Sequence, residues 1–339
     1  MVSPNCKDSF TNGKGGTVKE KRFVFLMHLG ANMWQKPGNA RGYKKESIDW
    51  LYRDYLVTDD STWKTVTDFL PGCKINTLLI DMGEAVELKS HPELAVKGSW
   101  SREKFKEELK RLRSIGLEPL PKFNFSACHN AWMKEMMYKI GTKEYYDFCR
   151  DIIDEAVELF DGPALFHLGM DEEDVGSQVA NGHSIVITKS PEQFAEDTGK
   201  LFDTCRKNGA RPWIWAGTSV FDYYGGKERF VKAVAKDVVL SNYHYGSIHV
   251  DADDMYSMPS VLHYKKLEEL GYDQIPCAST WVEPTSNLRT MNFAKKYMDD
   301  SKLLGFMSAP WHLTIPEMLY GLLHDATCQK LAIEKYYGE

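Results

Sequence analysis

Short apolar runs alternate with longer segments of helical patterning along most of the chain. The predicted strands cover residues 23–29, 76–81, 117–124, 164–169, 212–216, 238–243, 274–281 and 303–308. The predicted helices follow them in turn, the first ending near residue 69 and the others covering residues 101–115, 142–160, 190–209, 228–236, 260–270, 287–299 and 316–336. Short strands that alternate with longer helices indicate parallel βαβ units.

Capping residues support two of these helix boundaries. Ser101 stands directly before a charged helical segment that Gly116 ends, and Ser190 is followed by Pro191 at the favoured first helical position. A Ser side chain can accept a hydrogen bond from an otherwise unpaired amide at a helix start, and Pro has no amide hydrogen that would be left unpaired there. Both patterns therefore predict helix starts.

The number of units determines the predicted fold class. Eight strand–helix units close naturally into a (β/α)8 barrel of roughly 250 residues or more. An open doubly wound sheet is the alternative, and it is disfavoured because no G-x-G-x-x-G turn opens a helix. No linker-like stretch interrupts the pattern. The sequence therefore predicts an α/β protein with a polar lead over residues 1–20 and a single (β/α)8 TIM barrel over residues 21–339.

Composition and charge exclude several classes of function. Hydrophobic residues make up 43% of the 339 residues and charged residues 27%, ordinary values for a globular protein. The net charge of −6 gives no basic surface for nucleic acid. No apolar run approaches the roughly 20 residues that span a bilayer, so no membrane association is predicted.

The cysteines and the start of the chain bear on its compartment. Seven cysteines are spread singly, without a C-x-x-C pair, which favours free thiols in a reducing compartment and predicts neither a metal site nor a cofactor. The first residues contain no apolar signal segment, so the sequence as given predicts a cytoplasmic protein. Removal of an export signal would leave the same sequence.

Chemistry-bearing side chains cluster at the predicted carboxyl ends of the strands, where barrels of this kind place their active sites. They are His28, Asn32, Asp81, Glu84, Asn124, His129, Asp171, Glu172, Glu173, Trp215, Tyr243, His244, Tyr245, Trp281, Glu283, Trp311 and His312. Sugars stack on aromatic rings, and glycosidic cleavage needs a proton donor beside a group that stabilises a cationic centre. The nine Trp residues and the paired acids therefore favour a carbohydrate as the binding partner.

The most specific motif runs from His167 through Asp171, Glu172 and Glu173 to Asp174. An apolar strand delivers adjacent acids whose side chains point in different directions, so one can reach a leaving oxygen while the other faces elsewhere on the sugar. Close like charges and partial burial favour a protonated carboxyl near neutral pH, as a general acid needs. A solvated acidic loop that opens the next helix is the alternative interpretation.

These segments resemble glycoside hydrolase family 20, the β-N-acetylhexosaminidases. The pattern His167-x-Gly-x-Asp171-Glu172 is similar to the family's H-x-G-G-D-E signature, and residues 125–132, with His129, are similar to its P-G-H-x-x-x-W segment. Further matches, in chain order, are Trp215 with a pocket Trp, Trp281-Val282-Glu283 with a Tyr-x-Asp pair, and Trp311 with a late Trp that floors the sugar pocket.

The sequence also departs from the family's pattern. Met170 replaces the second Gly of the signature, and Asn124 stands where an acid is expected after the third strand. The family's late W-x-E pattern corresponds to Trp311-His312-Leu313, without the Glu. Residues 28–34, at the end of the first strand, contain no counterpart of the Arg with which the family holds sugar hydroxyls. The resemblance therefore implies a distant relative whose substrate differs from simple N-acetylhexosaminides.

The resemblance implies substrate-assisted hydrolysis of terminal N-acetylhexosamine-type sugars, with retention and without a metal or cofactor. The substrate's own acetamido carbonyl attacks the anomeric carbon. Glu172 protonates the leaving oxygen and then deprotonates water, while Asp171 orients the acetamido group. The implied substrate-binding residues are Asn124, His129, His167, Trp215, Tyr243, Trp281, Glu283 and Trp311.

Three alternatives remain open at this stage. A conventional retaining glycosidase would use Glu172 as acid/base and Glu283 as nucleophile. A metal-dependent hydrolase would use His28, His129, His167, His244 and His312, although these histidines lack tight ligand spacing. In a non-catalytic sugar-binding barrel the same acids would only hold hydroxyl groups.

Overall fold

The computed structural model describes residues 21–35, 51–246 and 258–338. Eight parallel strands surround a central axis in the order β6-β5-β4-β3-β2-β1-β8-β7. Their bounds are β1 Arg22–His28, β2 Thr77–Asp81, β3 Glu118–Lys122, β4 Leu165–His167, β5 Arg211–Trp215, β6 Val239–Ser241, β7 Cys277–Ala278 and β8 Gly305–Ser308. The predicted lead over residues 1–20 lies outside the described residues.

The ring of strands closes between β6 and β7. Most neighbours pair in continuous parallel ladders, for example β1 with both β2 and β8. Between β6 and β7 the contact consists of single parallel bridges, Leu240 with Gln274 and Tyr243 with Cys277. The arrangement confirms the predicted single (β/α)8 barrel, in which β6 and β7 are the most weakly paired neighbours.

Helices surround the strands in the predicted alternation. Their bounds are α1 Asp60–Phe69, α2 Arg102–Ser114, α3 Lys143–Leu159, α4 Val175–Ala180, α5 Pro191–Lys207, α6 Val220–Tyr223, α7 Lys227–Ala233, α8 Pro259–Glu269, α9 Ser286–Tyr297 and α10 Leu319–Tyr336. The side chains of Ser101 and Ser190 accept hydrogen bonds from the amides of Lys104 and Gln193, so both predicted caps are present. Two short helices, α4 and α6, were not predicted, because a single turn leaves almost no periodic signal in sequence.

Several strands are shorter than their apolar runs. The prediction of a strand over residues 274–281 was too long: only Cys277–Ala278 form a ladder. Pro276 interrupts the run because it has no amide hydrogen to donate to a neighbouring strand. Beyond Ala278 the chain leaves the sheet and forms the turn that carries Trp281.

Alternation along the strands separates two apolar layers. In β1, Val24 and Leu26 point into the barrel interior, whereas Phe25 and Met27 belong to the layer between strands and helices. At the carboxyl end of the barrel the interior becomes polar: Lys122 and Asp81 form a fully buried ion pair there. No helix in the described ranges is long and apolar enough to cross a membrane.

Candidate active site

The backbone after β4 takes a tight left-handed path. The φ angles of Gly169, Met170 and Glu172 are 75°, 69° and 51°. Only glycine fits at position 169, because the Cβ atom of any other residue would lie 2.0 Å from Asn124 Oδ1. Met170 adopts a conformation that costs a side-chain-bearing residue about 1–2 kcal/mol, and its side chain is buried in the outer apolar layer. Packing therefore holds in place the turn that separates the two acids.

Side chains that follow β3 hold the acids that follow β4. Asn124 donates a hydrogen bond from Nδ2 to Asp171 Oδ1 at 3.0 Å. His129 contacts both acids: Nδ1 lies 3.4 Å from Asp171 Oδ1, and Nε2 lies 3.3 Å from Glu172 Oε2. One imidazole ring thus stands between the two adjacent carboxylates.

The ionisation of Asp171 and His129 follows from their mutual contact. Burial alone would raise the pKa of Asp171, but the charge and hydrogen bond of His129 and the Asn124 amide outweigh it and lower that pKa to about 2. Burial alone would lower the pKa of His129, yet the neighbouring Asp171 charge raises that pKa well above its ordinary value. Asp171 is therefore an anion near neutral pH and His129 a cation.

The two acids differ in their access to solvent. The Asp171 side chain is 12% exposed, whereas the Glu172 side chain is 43% exposed. Among the described residues, Glu172 Oε2 also contacts the thiol of Cys128, whose Sγ lies 3.8 Å away. Asp171 is thus a largely enclosed anion, and Glu172 is the acid that an incoming molecule can reach.

A second, buried ionic cluster connects the loop after β3 with the loop after β4. Glu173 accepts a hydrogen bond from the amide of Ala127 at 3.1 Å, and its other oxygen lies 3.2 Å from Lys189 Nζ. Lys189 also pairs with Asp197 of α5 at 3.5 Å. Burial raises the pKa of Glu173 despite the nearby lysine. The carboxylate of Glu173, the third acid of the motif, is thereby paired with Lys189 and the amide of Ala127.

Aromatic rings form the walls of the cavity in front of the acids. Trp215 packs edge-on against Tyr243 with ring centroids 5.8 Å apart, and lies 5.9 Å from Trp311. The cavity has a volume of about 220 Å³. Its lining consists of Met33, Trp34, Asn124, His129, Asp171, Glu172, Asn181, Trp215, Tyr243, Tyr245, Trp281 and Trp311.

Two sequence-predicted site residues lie outside this lining. His167 is fully buried beneath Trp215, with ring centroids 4.7 Å apart, and its Nδ1 accepts a hydrogen bond from the amide of Gly169. Burial lowers its pKa well below the ordinary value, so the ring is neutral. Glu283 accepts hydrogen bonds at Oε1 from the amide and hydroxyl of Thr285, at the start of α9. The other eight predicted residues line the cavity.

Four lining residues were not among the predicted site residues. Met33 and Trp34 follow β1 within a few residues, so their position at a strand end could have suggested them. Tyr245 lies close to the end of β6 and gave the same signal. Asn181 follows α4, and no pattern in the sequence marks it.

The histidines of the metal-hydrolase alternative do not assemble into one ligand set. Within the described ranges, the one group of three or more residues with metal-binding side chains close enough to share an ion is Cys128, His129 and Glu172. Of the five histidines that the metal-hydrolase alternative would use, this group contains one, His129. The geometry at this end of the barrel is instead that of a small aromatic pocket with two acids at one side.

Comparisons with known proteins place the fold in a group of solved structures. No model of a known protein family matches the sequence, and no curated protein does. The Flavobacterium johnsoniae chitobiase superposes with a TM-score of 0.58 and 17% identity, over 82% of this chain and 46% of that one. A family 20 exo-β-N-acetylglucosaminidase from Vibrio harveyi, in complex with N-acetylglucosamine, gives 0.58 and 14%, over 95% and 58%.

Dispersin B gives a TM-score of 0.56 at 12% identity, over 94% of this chain and 100% of that one. This chain thus spans about half the length of the chitobiase and of the Vibrio enzyme, but the whole of dispersin B. The resemblance first indicated by residues 167–172 is confirmed as a distant one that covers the barrel. The fold of this chain is that of the barrels of glycoside hydrolase family 20 β-N-acetylhexosaminidases.

Proposed function

We propose that this protein is a glycoside hydrolase that removes terminal N-acetylhexosamine-type sugars by a substrate-assisted, retaining mechanism. The observation that carries the proposal is geometric: Asp171 is held by Asn124 and His129 with little exposure to solvent, and the adjacent Glu172 faces the cavity. Two carboxylates of this kind, in an aromatic cavity at the carboxyl ends of barrel strands, suit the cleavage of a glycosidic bond.

Asp171 fits the role of the group that orients the acetamido substituent. Its hydrogen bond from Asn124 and its ion pair with His129 lower its pKa to about 2, so it holds no proton to donate near neutral pH. A buried anion accepts the acetamido N–H and stabilises the positive charge of the oxazolinium ion that forms when the acetamido oxygen attacks C1. The electron pair of the broken C1–O bond leaves with the aglycone oxygen.

Glu172 fits the role of acid and then base. Its side chain lines the cavity and is 43% exposed, so both a leaving oxygen and a water molecule can approach it. In the first step its proton passes to the leaving oxygen. In the second step it takes a proton from the water that opens the oxazolinium ring, which regenerates the acetamido group and gives a product with retained configuration.

The size of the cavity favours one sugar ring. Its volume of about 220 Å³ is below the roughly 300–1,000 Å³ of sites for drug-sized ligands. Trp215, Trp311 and Tyr243 supply aromatic surface for the apolar face of a pyranose. A fold relative was solved with N-acetylglucosamine bound, which supports the same class of ligand here.

A conventional double displacement through Glu283 has less support. Glu283 does not belong to the cavity lining, and its Oε1 accepts two hydrogen bonds from Thr285. A nucleophile would have to face the anomeric carbon across the cavity from Glu172, at about 5–5.5 Å from that carboxylate.

The deciding experiment compares aryl glycosides with and without a 2-acetamido group. Substrate assistance predicts hydrolysis only of the 2-acetamido compounds and competitive inhibition by a cyclised thiazoline analogue. Inactivation by a 2-fluoro glycoside would instead favour a Glu283 nucleophile. Binding of N-acetylhexosamines without turnover, unchanged in Glu172→Ala, would indicate a sugar-binding barrel.

A further inference from the structure

The loop after β3 brings a cysteine thiol to the accessible acid of the proposed active site. Cys128 Sγ lies 3.8 Å from Glu172 Oε2, and His129 Nε2 lies 3.3 Å from the same oxygen. One ligand atom from each of the three residues lies within 4.8 Å of the other two. The proposed hydrolysis gives the thiol no task, so its position calls for a separate explanation.

The spacing of these atoms matches that of ligands around one zinc ion. A tetrahedral Zn²⁺ with Zn–S of about 2.3 Å and Zn–N and Zn–O of about 2.0–2.2 Å holds its ligand atoms roughly 3.3–3.6 Å apart. The two distances to Glu172 Oε2, 3.3 Å and 3.8 Å, are close to this range. The third separation, between the ligand atoms of Cys128 and His129, is within 4.8 Å, so metal binding would draw these two side chains together as well.

The neighbours of this group support the same interpretation. When His129 Nε2 binds a metal, Nδ1 keeps its hydrogen and lies 3.2 Å from Ser126 Oγ and 3.4 Å from Asp171 Oδ1. A hydroxyl or carboxylate at this nitrogen is the kind of partner that orients metal-binding histidines. Asn181 Nδ2 lies 2.8 Å from Cys128 Sγ and can donate a hydrogen bond to a thiolate. Cys128 is fully buried, whereas His129, Glu172 and Asn181 line the cavity, so a metal ion can approach this group from the cavity side.

We propose that Cys128, His129 and Glu172 form an inhibitory site for a thiophilic divalent cation such as Zn²⁺. Binding forms one bond each from Sγ, Nε2 and a Glu172 oxygen to the metal, and the protons of the thiol, of Nε2 and of the acid form of Glu172 pass to solvent. A Glu172 carboxylate bound to metal can neither protonate a leaving oxygen nor accept a proton from water. Mg²⁺ and Ca²⁺, which prefer oxygen ligands, do not bind there.

The inhibitory consequence rests on the proposed hydrolase function, but the site itself does not, so binding is measured first and without substrate. The full chain is titrated with Co²⁺ and followed by absorption, since a cobalt–thiolate bond gives a charge-transfer band in the near ultraviolet. We expect one Co²⁺ per chain with this band, displaced by Zn²⁺ and unaffected by Mg²⁺.

Two cysteine variants assign the thiolate. Cys128→Ser is expected to abolish the band and to weaken Zn²⁺ binding by roughly 100-fold or more, beyond the 10- to 100-fold typical for loss of an outer partner. Cys328→Ser is the matched control, because Cys328 Sγ lies 3.7 Å from His324 Nε2 and is a competing cysteine–histidine pair. It is expected to leave the band unchanged. Should Cys128→Ser fail to fold, as judged by circular dichroism, His129→Gln serves in its place.

The outcomes separate the two proposals. Absence of the band in the unmodified protein, its persistence in Cys128→Ser, or its loss in Cys328→Ser overturns the metal site. If the site binds as expected but no 2-acetamido glycoside is hydrolysed, the metal site stands and the hydrolase proposal fails. If hydrolysis occurs, Zn²⁺ is expected to inhibit the unmodified protein and Cys328→Ser, and N-acetylglucosamine to weaken Zn²⁺ binding by competition.

Discussion

The two ends of the barrel contain cavities of opposite character. At the amino ends of the strands lies the larger one, about 1,020 Å³, whose rim includes Lys21, Arg22, Glu118 and Arg211. At the carboxyl ends lies the smaller one, about 220 Å³, with aromatic walls and two adjacent acids. The larger cavity is therefore at the end of the barrel opposite the proposed active site.

The difference lies in how the charges are compensated. At the amino end, Arg22 pairs with Glu118, and Arg211 Nη2 lies 3.0 Å from Asp273, all of them side chains with substantial contact to solvent. At the carboxyl end, His129 is nearly buried and shared between two acids, and Glu172 still faces the cavity. Exposed pairs contribute little energy, whereas a buried charge shifts the ionisation of its neighbours. A shifted pKa beside an accessible acid is therefore a better indicator of an active site than cavity volume.

The largest expected effect is that of Glu172→Gln at the carboxyl end. Loss of a general acid lowers kcat/KM by roughly 10²–10⁴-fold for 2-acetamido substrates with poor leaving groups. The loss should be far smaller for activated aryl substrates, because their leaving groups depart without protonation. Equal losses on both kinds of substrate would contradict the assignment of Glu172 as the acid.

Asp171→Asn should cost slightly less, but equally on both kinds of substrate. The oxazolinium ion has to form whatever group leaves, and removal of one electrostatic stabiliser typically lowers turnover by about 10²–10³-fold. Parallel kinetics with activated and unactivated aryl glycosides measure this. Near-normal turnover would end the substrate-assisted mechanism, and Glu283→Gln would then be expected to abolish activity.

His129→Gln should change how kcat/KM depends on pH. The loss of activity at low pH should begin at a higher pH than in the unmodified protein. In the unmodified protein the pKa of Asp171 is about 2, so this loss lies below the usual assay range. Without the imidazolium, the pKa of that carboxyl rises toward its ordinary value near 4, while the Asn124 hydrogen bond and the Lys122 charge still lower it. A profile in which this loss begins at the same pH would show that His129 does not control Asp171.

The same variant tests the contribution of this ion pair to stability. Because the folded-state pKa of Asp171 lies below its unfolded value of 3.8, ionisation of Asp171 stabilises the fold above pH 4, and this contribution is lost as the pH falls toward 2. The raised pKa of His129 stabilises the fold below pH 6.5, and that contribution is lost as the pH rises through the folded-state value. The free energy of unfolding of His129→Gln, measured in urea, should depend on pH less steeply than that of the unmodified protein in both of these pH ranges.

Trp311→Ala should weaken inhibitor binding by about 10-fold, or ~1.4 kcal/mol. The ring lines the cavity and packs against Trp215 and His28, with centroids 5.9 Å and 5.8 Å away. A wholly structural Trp would instead cost about 3–5 kcal/mol of stability on truncation, with unchanged affinity. Calorimetric titration with a thiazoline inhibitor, beside a thermal melt, distinguishes the two.

The smallest effect is expected at the amino end. Arg22→Gln removes the pair with Glu118, in which both side chains are partly exposed, so it should change the free energy of unfolding by only about 0–1 kcal/mol. Its kcat/KM should equal that of the unmodified protein. A clear loss of activity would mean that the larger cavity takes part in function after all.

The sequence by itself determined the architecture and most of the site. Capping serines and alternating apolar runs depend on neighbours within a few residues, so the starts of α2 and α5 and the order of the strands could be predicted from the chain. Since parallel strands bring their carboxyl ends to one face, the same pattern also assembled eight of the ten predicted site residues around one cavity.

Only the tertiary structure decided what each of these side chains can do. His167 shares the motif of Asp171, yet the packing of β5 places it under Trp215, and the hydrogen bonds at the start of α9 draw Glu283 to Thr285. The ionisation of Asp171 depends on His129, which lies 42 residues earlier in the chain. Such contacts join segments that are distant in sequence, and burial and electrostatic coupling depend on distances in space, which no local pattern encodes.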